Sequence, residues 1–251
     1  MTNTLGDWLA REPFGLAMSS GFFSFYAHTG MLQALTARGL APAHVAGSSA
    51  GAMVSSAWAA GVPLEELAAF LFAMKRDDFW DPSLGAGLLA GKKFDALLRT
   101  MLPVVRIEAC RVPVRISAFD ILARKTVVLD RGDLPTAIRA SCAVPAMFQP
   151  VWIDRRPHWD GGILDRPGIA GVPAGRLLFH HIAAPAPWSR SNAPLEIPAR
   201  ADMVTLVLDD LPRPNPFRLD AGRQALGEAR AATERALDLP ITGAVVRLPV
   251  R

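Results

Sequence analysis

The chain of 251 residues is poor in several features that define whole classes of protein. It holds two cysteines, Cys110 and Cys142. Two thiols do not make a disulfide framework, so a reduced compartment and core thiols are the simpler expectation. No run of about 18 apolar residues occurs, which argues against a membrane-spanning helix. The 51% hydrophobic content therefore belongs to a core. The N-terminus, Met1-Thr2-Asn3-Thr4-Leu5-Gly6-Asp7-Trp8, has no basic stretch followed by an apolar one. No secretory leader is expected from it, and the expected location is cytoplasmic. Charge of one sign is scarce as well: 27 Lys+Arg against 23 Asp+Glu leave +4. Arg11, Arg99, Arg155, Arg213 and Arg247 lie far apart, and lysine is confined to Lys75, Lys92, Lys93 and Lys125. Without a polybasic tract, nucleic acid is not an expected partner. There is no His-x-x-x-His and no cysteine pair at ligand spacing, so neither a metal nor a cofactor is expected. The oligomeric state is not legible.

What is present is an alternation of short apolar runs and helical periodicity. Strands are expected over residues 13–19, 42–46, 112–118, 125–129, 151–153, 176–182, 203–208 and 245–248. Helices are expected over 27–38, 52–60, 64–74, 94–102, 135–142 and 217–237, the first closed by Gly39 and the second by Gly61. Residues 1–12 read as a loosely anchored lead-in and 77–91 as irregular. Residues 183–200, with Pro185, Pro187, Pro194 and Pro198, read as an exposed loop. The order predicts one domain over 1–251, with its core at about 14–240. The fold class is α/β, a three-layer α/β/α domain with a mainly parallel central sheet.

The centre of this order is Gly47-Ser48-Ser49-Ala50-Gly51. Gly-x-Ser-x-Gly between a strand and a helix is the pattern of a nucleophile elbow. Small residues two positions either side of the serine let strand and helix crowd together. Ala50 would supply an N–H at the helix start, where an oxyanion is stabilised. The pattern is short, and a Gly/Ser-rich turn capping a helix explains it equally well. A serine also needs a base. Asp160, before Gly161-Gly162, is the carboxylate that a sharp turn would hold at the end of the sheet.

With these residues in view the chain resembles the patatin-like phospholipases, serine acyl hydrolases with a Ser–Asp dyad. Gly47-Ser48-Ser49-Ala50-Gly51 is similar to that family's elbow and Asp160-Gly161-Gly162 to its dyad motif. The stretch from Ala137 to Val151 resembles the segment before the aspartate. Tyr26-Ala27-His28-Thr29-Gly30-Met31-Leu32 resembles the start of the first helix. The resemblance implies a lipid acyl hydrolase in which Ser49 is the nucleophile, Asp160 its base and an acyl-Ser49 the intermediate. Gly21, Phe22 and Ala50 would form the oxyanion hole. It implies a lipid or ester substrate and peripheral contact with a membrane or micelle surface. Phe79, Trp80, Leu84, Leu88 and Leu89 are the candidates for that contact, with core packing as the other reading. The chain departs from the family in one place: Ser19-Ser20-Gly21-Phe22-Phe23-Ser24-Phe25 keeps one glycine of the oxyanion loop and has Ser24 where an arginine is expected. Two other readings stay open, a Ser-Asp-His esterase using His180 or His181, and a non-catalytic lipid- or acyl-binding protein with a degraded oxyanion loop.

Overall fold

The computed structural model describes residues 3–183, 196–215 and 218–250. In chain order the elements are α1 (Leu5–Arg11), β1 (Gly15–Met18), α2 (Phe25–Ala37), β2 (His44–Ser48), α3 (Ala50–Ala60), α4 (Leu64–Ala73) and the single turn α5 (Arg76–Phe79). Next come β3 (Gly87–Leu89), α6 (Lys92–Met101), β4 (Val114–Asp120), β5 (Lys125–Leu129), α7 (Leu134–Cys142), β6 (Ala146–Phe148), β7 (Val151–Ile153) and β8 (Arg156–Asp160). The chain ends with β9 (Leu177–His181), β10 (Met203–Asp209), α8 (Ala221–Leu237) and β11 (Val245–Pro249).

The main sheet has nine strands in the order β11-β10-β9-β1-β2-β4-β8-β7, with β5 also beside β4. From β11 across to β4 every pairing is parallel; β8, β7 and β5 run antiparallel to their neighbours. β1 lies in the middle and all four of its residues are buried, as expected for a strand covered on both faces. One face carries Leu16, Met18, Val45, Leu178 and Leu206 beneath the helical layer. The other carries Ala17, Ala46, Leu177 and Phe179 beneath a thinner layer that includes Ile169, Val172 and Ile197. The arrangement agrees with the expected three-layer order and its mainly parallel sheet.

Three segments differ from expectation. The lead-in is a docked helix: Thr4 and Asp7 form a capping box, Leu5 and Leu9 are buried, and Leu5 N–H donates to the Leu239 carbonyl at 2.9 Å. Residues 77–91 are irregular mainly over 80–86: α5 ends at Phe79, and the chain folds back in a tight hairpin, Pro82 against Leu89, into β3, which pairs in parallel with the further strand β6. β8 was visible only as the Asp-Gly-Gly turn that follows it, because Arg156-Pro157-His158-Trp159-Asp160 shows no apolar alternation. Of the proline-rich loop, residues 184–195 lie outside the described residues, as does Phe217 at the expected start of α8, which begins at Ala221.

Strand and helix approach so closely around the elbow that side chains are excluded. A Cβ on Gly51 would lie 2.1 Å from the Met18 carbonyl oxygen. Gly51→Ala is therefore expected to cost about 1–3 kcal/mol through overpacking. Gly227, exposed on α8 with nothing within 4 Å of an added Cβ, should behave oppositely. Gly227→Ala is expected to gain about 0.5–1 kcal/mol from helix propensity. Thermal unfolding of the two variants reads both signs; equal shifts would contradict this packing.

Candidate active site

β2 ends at Ser48 and α3 begins at Ala50, so the chain reverses at Ser49 alone. Ser49 takes φ 53° and ψ −121°, a left-handed conformation rare for a residue with a side chain. Such strain costs about 1–3 kcal/mol and persists only where the surroundings impose it. Its backbone is pinned by a serine chain. Ser49 N–H donates to Ser141 Oγ at 2.8 Å, and Ser141 Oγ donates to the Ser117 carbonyl at 2.7 Å. Ser117 Oγ donates to Asp165 Oδ2 at 2.5 Å, while Asp165 also accepts from the N–H groups of Gly168, Ile169 and Ala170. The sequence singled out none of Ser117, Ser141 and Asp165. Ser141 lies within a stretch quoted for the family resemblance, but nothing in its spacing marks it.

Asp160 reaches Ser49 through strand register. β2 and β8 follow one another along one edge of β4, with β5 on the other edge; Ser48 pairs with Ser117, and Asp160 pairs with Ala118, one residue further on. Ser49 and Asp160 thus meet where β2 and β8 abut along one edge of β4. Asp160 is buried, with Oδ1 accepting the Gly162 N–H at 2.8 Å. Oδ2 accepts no formed hydrogen bond among the described residues, so the contact of the Ser49 hydroxyl with this carboxylate is looser than a full hydrogen bond. Burial pushes the Asp160 carboxyl up to about 6, against the opposing pull of Ser49, the Gly162 N–H and the Arg166 guanidinium.

Cys142, expected as a core thiol, also contacts the Ser49 hydroxyl; burial first, and Asp160 second, hold it protonated well above its ordinary value. Cys110 is a half-buried thiol raised to about 11 by burial and by Glu108.

The structure brings Gly21, Phe22 and Ala50 to the same cleft as Ser49. Ala50 opens α3, so its N–H has no intrahelical acceptor. The Gly21 carbonyl accepts both the Ser24 N–H at 3.1 Å and Ser24 Oγ at 2.9 Å. Ser24, where the arginine was expected, therefore closes the turn. The left-handed residue of this loop is Phe23, at φ 56°, and not Phe22.

Beneath the loop, His28 Nε2 donates to the Ser19 carbonyl at 2.9 Å. A carbonyl only accepts, so the proton sits on Nε2, and His28 Nδ1 accepts from His180 Nδ1 at 2.8 Å. Burial keeps both rings neutral, His28 at about 4 and His180 well below its ordinary value. His28 and His180 thus tie the start of the loop to β9. β1 separates β9, which carries His180 and His181, from β2 and the elbow, and His180 is engaged with His28.

The cleft spans about 930 Å³ including its open side, and its walls include Phe22, Phe23, Phe25, Met53, Phe70 and Phe148. Among the described residues no charged side chain lines it. None of their His, Cys, Asp and Glu side chains gather in a group of three that could hold a metal ion.

Residues 16–172 match the family model described as patatin-like phospholipase. The chain belongs to the patatin-like phospholipase family. An uncharacterized NTE family protein of Mycobacterium bovis is 41% identical over 166 residues, covering 63% of this chain and 46% of that one. One from Mycobacterium tuberculosis has the same identity and coverage. The chain spans about half the length of these curated relatives. The crystal structure of VipD from Legionella pneumophila covers 78% of this chain and 50% of its own, with a TM-score of 0.46 and 16% identity. Among the described residues of this patatin-like chain, no helix is long and apolar enough to cross a membrane.

A carboxyl raised from 3.8 to about 6 is a destabilised anion in the folded state. Asp160→Asn is expected to stabilise the fold at pH 7.5 by about 3 kcal/mol. The sign follows from linkage: below about 6 the folded carboxyl takes up its proton before the unfolded one does, so the wild type gains stability as pH falls and the gap closes towards pH 4. Urea unfolding of both chains at pH 7.5 and pH 4.5 checks it; a variant less stable at pH 7.5 contradicts it.

Proposed function

We propose that this patatin-like chain is a serine-dependent lipid acyl hydrolase, a carboxylic ester hydrolase of phospholipase or lipase type. The observation that carries the reading is a serine in strained elbow geometry against a buried, proton-accepting carboxylate, at the wall of an apolar cleft. Asp160 takes the Ser49 proton as Oγ attacks the ester carbonyl. The N–H groups of Ala50, Gly21 and Phe22 receive the oxyanion. Collapse of the tetrahedral intermediate releases the alcohol, which takes the proton from Asp160, and leaves acyl-Ser49. Asp160 then deprotonates a water, whose attack frees the acid and restores the serine.

The cleft supports an acyl chain as the recognised group, because apolar walls without charge favour hydrocarbon over a polar headgroup. The dyad has more support than a Ser-Asp-His triad, since His180 is engaged with His28. A fluorophosphonate probe tests the reading. Wild type is expected to label and Ser49→Ala not to label, while His181→Ala keeps labelling. Folded wild type that does not label would overturn the hydrolase and leave the acyl-binding protein.

A further inference from the structure

We propose that the hairpin over residues 81–91 is a fixed anchor that seats the cleft on an anionic phospholipid surface. The proposal rests on the lipid-ester reading above and adds the surface from which the substrate is drawn. Leu84, at the hairpin tip, is 102% exposed and Leu88 is 51% exposed. Leu89, the next residue, points the other way into the cleft wall and is 1% exposed. One hairpin therefore offers leucines outward and builds the cleft inward.

The tip is held in place. Ser83 N–H donates to the Leu88 carbonyl and Ala90 N–H to the Asp81 carbonyl, each at 2.9 Å. The Gln149 carboxamide accepts from the Ala86 N–H at 2.9 Å and donates to the Gly87 carbonyl at 2.7 Å. A leucine kept fully in water by so many fixed contacts is a standing cost that an apolar partner removes.

Charge decides the kind of partner. Three of the chain's four lysines, Lys75, Lys92 and Lys93, flank this hairpin, and all three are exposed. None forms an ion pair with a carboxylate among the described residues. They are gathered at its base: Asp81 accepts the N–H groups of Lys92 and Lys93, and Lys93 Nζ donates to the Asp77 carbonyl at 2.7 Å. Of the acidic neighbours, Asp78 and Asp81 are turned onto backbone N–H groups, and Asp77 lies 3.8 Å from Arg76. The Arg76 guanidinium sits 5.5 Å over the Trp80 ring, which itself lines the cleft. From Asp81 to Leu84 is three residues, about 10 Å of extended chain. That spacing sets the tip among acyl chains when the lysines meet phosphates, matching the roughly 5–10 Å depth of interfacial apolar groups.

The test uses the full chain carrying Ser49→Ala, sedimented with vesicles of phosphatidylcholine containing about 30 mol% phosphatidylglycerol, and with phosphatidylcholine alone. The parent is expected to bind the anionic vesicles. Leu84→Ser with Leu88→Ser is expected to lower that affinity at least about tenfold. Lys92→Ala with Lys93→Ala is expected to lower it roughly fivefold per lysine while leaving the weak binding to phosphatidylcholine unchanged. A parent that stays in the supernatant, or either double variant binding as the parent does, overturns the proposal. With Ser49 restored, turnover of a soluble short-chain ester is expected to be equal in parent and surface variants. A chain that binds vesicles but turns over no ester would sink the hydrolase reading and leave the docking surface standing.

Discussion

The burial of one carboxylate against one strained serine is the constraint on which the rest of the site depends. Asp160 is held 6% exposed beside Ser49 because β2 and β8 abut on one edge of β4 in a fixed register. The positive φ of Ser49 is imposed by the collision-free path that Gly47 and Gly51 leave open. Ser141 and Ser117 then carry that geometry to Asp165, whose four hydrogen-bonding partners anchor the segment after the Asp-Gly-Gly turn. Both halves of the pair thus hang on the same strand.

The proposed dyad, without histidine, needs its carboxylate to be a better base than a carboxylate in water. At about 6, raised from 3.8, Asp160 is stronger by roughly two powers of ten and still ionised at neutral pH. The histidines serve elsewhere. His28 and His180, both neutral, fix Ser19 at the foot of the loop proposed to hold the oxyanion, where Gly21 is the one glycine and Phe23 takes the strained angle. Gly21, Phe22 and Phe23 of this loop line the same cleft as Ser49.

Much of this was legible in the sequence, and the limits have physical causes. The elbow was visible because strand-to-helix reversal demands small residues at fixed spacing, and Asp160 because two glycines follow it. The parallel strands were visible as apolar runs. β8 was not, since an antiparallel strand of Arg, Pro, His, Trp and Asp follows neither period. Ser117, Ser141 and Cys142 could not be assigned to the site because they reach it only through packing of β4 and α7 beside β2. α1 was read as a lead-in because its capping pair, Thr4 and Asp7, has aspartate in place of the commoner glutamate. The lysines around 75–93 read as scattered charge until α5, the hairpin and α6 brought them to one base.

The central claim, that buried Asp160 is the base for Ser49, is tested most directly by the pH dependence of Ser49 phosphonylation by a fluorophosphonate. The account predicts a second-order rate that rises about tenfold per pH unit below about 6 and is level above it, with the limb abolished in Asp160→Asn. An inflection at the ordinary carboxylate value near 4, or a wild-type rate that does not change between pH 4.5 and 8, would contradict it.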